Sequence, residues 1–267
     1  VKIDTLRLLY FSPTQTTQKV LQNIAAGISA GAMERMDLTL PDAIPSDSTE
    51  IKDGLTLIGA PVYGGRIPPQ AAERITRFKA QGSPAVLVVL YGNREFEDAL
   101  VELKDLAMES GFRPIAGGAF IGEHSFADEK YPVAMNRPDD EDIRKCTAFG
   151  ALIQKKIDQA ASLEALSIPD FPGNHPYKDR RIFKEICPAI LEEKCTLCGT
   201  CAAVCPTAAI SVGNKVVTDA DACIVCCACI KNCPSDARVM DHPQIGKIVQ
   251  WLWENYHARK EPEWFMG

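Results

Sequence analysis

The sequence predicts an α/β protein: a doubly wound parallel sheet of five strands, followed by a small α+β lobe organised by cysteine. Three observations carry this reading. Strand-like and helix-like segments alternate through residues 1–165. Nine of the 11 cysteines crowd into residues 195–233. Between them, Pro169, Pro172 and Pro176 with Gly173 form a stretch that resists helix and strand, read as an ordered linker over 166–182. A chain of 267 residues, 46% hydrophobic and 24% charged, has room for one large or two small globular domains.

The elements follow from periodicity. Residues 3–11 are a strand candidate, and 16–30 place Val20, Leu21, Ile24 and Ile28 on one helical face. Residues 33–38 carry the second strand on a fainter pattern. Residues 55–60 are a strand, and 69–78 a helix with proline at its start. The all-apolar run 85–91 suits a strand buried on both faces of a parallel sheet. An amphipathic helix over 95–110, a strand over 112–121 and a closing helix over 140–163 complete the unit. Alternation of this kind puts helices on both faces, with ligands at the carboxyl ends of the strands. Beyond a cysteine-rich unit at 183–242, residues 243–267 read as a docked helix, with Ile245, Ile248, Leu252 and Tyr256 at helical spacing, and an extended tail.

Charge and hydropathy exclude several classes. The net charge is −6, without the basic excess that nucleic acid or an anionic membrane requires. The longest apolar run, 84–91, is too short to span a bilayer. The start, Val1-Lys2-Ile3-Asp4, lacks the apolar core of a secretion signal, so a cytoplasmic location is expected. Lys178, Arg180, Arg181 and Lys184 form a basic patch, read as a solvated face.

The cysteines fall in two runs of one pattern. Cys195, Cys198, Cys201 and Cys205 are spaced by two, two and three residues, with Pro206 after them; Cys223, Cys226, Cys229 and Cys233 repeat this before Pro234. This is the bacterial ferredoxin run written twice. A tight loop with two-residue gaps wraps three thiolates around one cubane, and the fourth, before proline, reaches the other cluster. Cys195, Cys198, Cys201 and Cys233 are therefore assigned to one 4Fe-4S cluster, and Cys223, Cys226, Cys229 and Cys205 to a second. Disulfides fit poorly with an odd count and no export signal, and zinc sites seldom repeat the whole run with its prolines. Cys227, Cys187 and Cys146 fall outside the spacing and read as buried thiols. The apolar pieces 208–212 and 237–240, one after each run, are expected to pair as a small sheet.

At the first strand end, Ser12, Thr14, Thr16 and Thr17 bring four hydroxyls, with Pro13 and Gln15 between them, to a helix N-terminus that favours phosphate. One hydroxyl would suffice for a plain helix cap, the alternative. The loop has no lysine for a Walker site, and the chain has no GxGxxG fingerprint. The second strand end carries Pro61, Val62, Tyr63, Gly64 and Gly65: adjacent glycines let backbone approach a flat ring, and Tyr63 can stack on one, although a plain turn has the same composition. Tyr91, Gly92, Asn93 and Arg94 end the third strand, where amides and the Asn93 side chain can meet polar edge atoms of that ring. His124, on a loop running from 122 to 139, is read first as a structural histidine and second as a proton donor; Tyr131 and Asn136 on that loop suit a lid or a subunit contact.

The stretch Leu8-Leu9-Tyr10-Phe11-Ser12-Pro13-Thr14-Gln15-Thr16-Thr17 resembles the phosphate loop of flavodoxins, with Ser12, Thr14 and Thr17 at its hydroxyl positions and Gln15 replacing a small residue. With the cysteine runs, the chain resembles the flavodoxin–ferredoxin fusion proteins of anaerobic microbes. That resemblance implies FMN in the first domain, its phosphate on the first loop and its isoalloxazine between the second and third. Two readings of function follow. One is an electron-transfer iron–sulfur flavoprotein serving other redox proteins; the other is an FMN-dependent reductase of a small molecule, fed through the clusters. A non-redox scaffold with structural clusters is the third possibility. A homodimer is an expected option, should flavin and clusters of one subunit lie too far apart.

Overall fold

A computed structural model describes residues 2–45, 47–163, 165–183 and 185–267. The first unit runs β1 (Ile3–Tyr10), α1 (Thr16–Ala25), β2 (Ala30–Asp37), a short β3 (Thr49–Ile51), β4 (Leu55–Pro61), α2 (Pro69–Ile75), a short β5 (Phe78–Ala80), β6 (Pro84–Tyr91), α3 (Ala99–Glu109), β7 (Arg113–Ile121) and α4 (Asp140–Gln159). The cysteine-rich lobe holds β8 (Ala189–Ile190), α5 (Thr200–Ala203), β9 (Ile210–Val212), β10 (Val216–Thr218), α6 (Ala228–Lys231) and β11 (Arg238–Val239). It is followed by α7 (Pro243–Tyr256) and β12 (Glu263–Phe265).

The five long strands are parallel in the order β2-β1-β4-β6-β7, the flavodoxin-like doubly wound order. A sixth strand departs from expectation. β12 adds antiparallel to β7, pairing Glu263 with Ala119 and Phe265 with Gly117, so the extended tail closes the sheet of the first unit. β4 and β6 are buried along their whole length because helices cover both faces. β2 lies at the open edge and is largely exposed, which is why its apolar pattern is faint.

One face packs Leu6, Leu8, Leu55 and Val88 against α1 and α4; the other packs Leu9, Ile58, Leu87 and Val89 against α2 and α3. α1 stops at Ala25, short of the expected residue 30, and the chain then crosses α4 closely. A Cβ on Gly150 would lie 2.0 Å from the Ile24 carbonyl oxygen. α2 ends at Ile75 because residues 78–80 form β5, parallel to β3, instead of a last helical turn. α3 starts at Ala99, α4 ends at Gln159, and Asp139 caps α4 through a reciprocal box with Asp142.

The proline-rich stretch is a strap along α3. Asp98 accepts hydrogen bonds from the amides of Asn174 (2.9 Å) and Lys178 (2.7 Å). Glu102 accepts two from Arg66 (2.7 and 2.8 Å), one from the Ile67 amide (3.1 Å) and one from Arg180. Asp105 accepts from Tyr177, and pairs with His175 at 2.7 Å. The spacing of these acids places them along one side of the helix. Lys178 and Arg181 of the basic patch are exposed, as a solvated face requires; Lys178 and Arg180 also pair with Glu97 and Glu102, Arg181 lies over Phe183, and Lys184 is outside the described residues.

In the small lobe the expected pairing is corrected. β9 pairs with β10, the strand that follows it in a hairpin, and β11 pairs with β8, the strand that precedes the first run. α7 docks through Leu252, Ile248 and Trp253 on Ala127 and Val133, so the 122–139 loop is the floor for that helix. Among the described residues no helix is long and apolar enough to cross a membrane.

Candidate functional site

The two cysteine runs fold alike. Leu197 and Gly199 in the first, Val225 and Cys227 in the second, have positive φ (54°, 81°, 53° and 63°), which curls each loop. One-turn helices α5 and α6 then carry Cys201 and Cys229 inward. Two cavities result. Cys195, Cys198, Cys201 and Cys233 line one, the outer set. Cys205, Cys223, Cys226 and Cys229 line the other, the inner set, with Cys227 beside them. Each crossed quartet expected from the spacing thus faces a single cavity, and all are free thiols. Among the described residues no three His, Cys, Asp or Glu side chains converge on one point as a single ion requires.

The donor chemistry suits a cationic occupant. Burial pushes the Cys223 and Cys226 thiols up to about 11 and about 12, so these thiols ionise only beside positive charge. Backbone amides already point at sulfur: Leu197 to Cys195 (3.4 Å), Ala209 to Cys205 (3.3 Å) and Ala237 to Cys233 (3.2 Å). Hydrogen bonds of this kind stabilise charge on cluster sulfurs. Cys146 is fully buried in the first unit, Cys227 is 1% exposed, and Cys187 is half-buried.

In the first loop, Gln15 adopts positive φ (63°) at the N-cap of α1 and makes no side-chain cap bond. Ser12 Oγ accepts the Gln18 amide at 3.0 Å, which supplies the cap. The remaining hydroxyls are spare: Thr14 and Thr16 touch each other at 3.2 Å, and Thr17 Oγ1 is buried without a partner. An unpartnered hydroxyl at a helix N-terminus suits a phosphate.

The second and third loops differ from expectation in detail. Gly64 and Gly65 (φ 62° and 87°) are the centre of a tight hairpin closed by Tyr63 and Arg66. Gly65 makes room for Glu97, whose Oε2 would lie 1.7 Å from a Cβ there, and Gly64 lies under Arg181. Pro61 ends β4, and the Val62 amide bonds the Leu90 carbonyl at 2.8 Å. Tyr63 therefore is the side chain of this loop left for a ring. Tyr91 is a core residue against Phe96, and Arg94 forks onto Glu97 at 2.8 and 2.9 Å. The Asn93 side chain is taken by the tail: Nδ2 donates to the carbonyls of Tyr256 (2.5 Å) and Ala258 (2.8 Å). Gly92 of that loop makes room for His124, whose Cδ2 would lie 2.5 Å from a Cβ there.

His124 Nδ1 accepts the Phe126 amide at 3.1 Å, which places its proton on Nε2. Burial, then the charges of Arg94 and Lys231, push its imidazole down to about 4. Its ring meets Phe126, which meets Phe183 of the strap. The Tyr131 and Asn136 amides donate to Asp128 Oδ1 (2.7 Å) and Glu123 Oε2 (2.8 Å), which fixes the shape of the loop.

The inner set stands against these loops. Ile224 packs into the core of the first unit. Arg74 donates to the Pro206 carbonyl at 2.6 Å, next to Cys205. Gln15 reaches Asn232 at 3.5 Å, and Lys231 pairs with Glu123. The Tyr63 phenol is held far above its ordinary value by burial and by the nearby Cys226 and Cys227 sulfurs. Arg74, Glu123, Lys231 and Asn232 carry no motif; only the joining of the two units gives them a role.

Residues 188–211 match the 4Fe-4S binding domain family. Ferredoxin-1 of Chlorobaculum tepidum is 41% identical over 56 residues, covering 18% of this chain and 90% of that protein. The ferredoxin of Chlorobaculum thiosulfatiphilum is also 41% identical over 56 residues, covering 18% and 92%. Among solved structures, oxidised flavodoxin 1 from Bacillus cereus aligns at 17% identity and TM-score 0.39, covering 57% of this chain and 98% of that one. The rubredoxin oxygen:oxidoreductase of Desulfovibrio gigas aligns at 16% identity and TM-score 0.39, covering 60% and 38%.

Proposed function

The chain belongs to the 4Fe-4S ferredoxins through its cysteine-rich lobe, joined to a flavodoxin-like unit, and from that premise we propose an iron–sulfur flavoprotein with two 4Fe-4S clusters and FMN. Its general role is that of a redox electron carrier. When bound, the clusters exchange electrons singly and the flavin singly or in pairs, so the protein would link one-electron and two-electron partners. The outer set holds one cluster and the inner set the other. Ser12, Thr14, Thr16 and Thr17 bind the FMN phosphate, and Tyr63 and Gly92 flank the ring. The observation that carries the reading is the placing of the inner set beside the candidate flavin loops: the Cys226 and Cys227 sulfurs lie near Tyr63, and Asn232 of the same lobe meets Gln15 of the first loop. Partner redox proteins in an oxygen-free cytoplasm would meet the outer set, where Cys198 is exposed.

The test is anaerobic purification followed by reductive titration with optical and EPR spectra. About eight iron and eight sulfide per chain, FMN released by heat, and both centres reducible are expected. Colourless native protein overturns the reading. The second reading, a small-molecule reductase, is favoured by the neutral His124 with its Nε2 proton beside Gly92. Reoxidation of titrated protein by a small organic acceptor, faster than by a one-electron protein acceptor, would select it.

A further inference from the structure

Arg238 is a buried cation between the two cysteine cavities. It is 4% exposed, yet among the described residues no Asp or Glu forms a salt bridge with it. Its Nη2 donates to Thr218 Oγ1 at 2.9 Å and lies 3.8 Å from Cys229 Sγ of the inner set. The same side chain lines the outer cavity beside Cys201 and Cys233. Its Nε is buried without a partner.

The internal repeat sharpens the anomaly. Arg238 follows Cys233 by five residues, as Ile210 follows Cys205. The two positions are locally alike, since Ala209 and Ala237 donate to the sulfurs of Cys205 and Cys233 in the same way. Ile210 is an ordinary buried apolar residue of the lobe's core. The second copy places a guanidinium where the first places a hydrocarbon. A buried charge without a counter-charge is strongly disfavoured. A cubane held by four thiolates is an anion, and reduction adds one more negative charge to it.

We propose that Arg238 is the shared counter-ion of both clusters, holding their reduction potentials up by stabilising the reduced forms. This rests on the two-cluster reading above. Because the guanidinium lines the outer cavity and meets Cys229 of the inner set, both couples respond to it.

The test is an EPR-monitored redox titration of anaerobically prepared holoprotein as the parent, Arg238→Gln and Arg238→Lys, with iron and sulfide measured first. In Arg238→Gln, at a fixed solution potential, the oxidised-to-reduced ratio of both clusters should rise tenfold or more, about 59 mV for a one-electron couple. Arg238→Lys should stay within about threefold of the parent. Iron retained by the Lys variant and lost by the Gln variant supports the proposal equally, since charge is what separates them in assembly. Unchanged potentials in Arg238→Gln, a Lys variant that behaves like the Gln variant, or a shift confined to one cluster would overturn it. A parent without clusters would instead refute the functional reading on which the proposal stands.

Discussion

His124 shows how one side chain's surroundings set its chemistry. Its folded-state value of about 4 lies below the ordinary 6.5, so between those values the unfolded chain binds the extra proton. The contribution to stability is complete above about pH 6.5 and is lost as pH falls toward about 4. Comparing urea unfolding of the parent and His124→Gln should show the parent losing about 1–2 kcal/mol more between about pH 7 and about pH 5. Equal losses would mean that the imidazole is freely solvated. The same scale limits what residue types reveal. The eight cysteines carried their meaning in their spacing, because thiolates around a cubane demand fixed gaps. Gly65 and Asn93 did not. Each has the composition of a ligand loop, yet one is required by the Glu97 carboxylate and the other by carbonyls about 165 residues away in sequence. No local pattern distinguishes a glycine that admits a ring from one that admits a carboxylate.

Among the elements, buried parallel strands were the most legible. β4 and β6 are covered on both faces and read as continuous apolar runs. β2, exposed at the edge, carried little signal, and β12, three residues long, carried none that named its partner. Yet β12 seals the far edge of the sheet. Trp264 stacks on Phe149 at 5.5 Å, Phe265 meets Phe171 at 6.1 Å, and Arg259 bonds Asp139 at 2.7 Å. Deleting residues 259–267 should lower unfolding stability by about 3–5 kcal/mol, mostly from two aromatic side chains returned to water. It also bares the β7 edge, and light scattering should detect self-association. A truncated chain that stays monomeric and equally stable would show that the edge is protected in another way.

In the whole molecule the two cysteine sets and the candidate flavin loops are built separately. Neither cysteine set shares a residue with the candidate flavin loops, and the inner set lies nearer Tyr63. Cys198→Ala should therefore halve the iron, to about four per chain, while heat-released flavin stays near one. Loss of both would mean that the sites assemble as one unit. The two units were legible from the cysteine runs and the strand alternation. Their contact was not, since Arg74 with Pro206 and Gln15 with Asn232 are ordinary residues brought together from distances of 132 and 217 positions.

The strap and β12 give the arrangement its mechanics. The peptide enters the cysteine-rich lobe from a segment bound along α3 and leaves it toward a strand hydrogen-bonded to β7. The lobe is thus an insert fastened at both ends, like a drawbridge chained on each side, and not a bead swinging on a string. Electron tunnelling decays steeply with separation, so anchorage on two sides would keep transfer steady from one molecule to the next. On the proposed reading, a redox partner would then approach a stationary port.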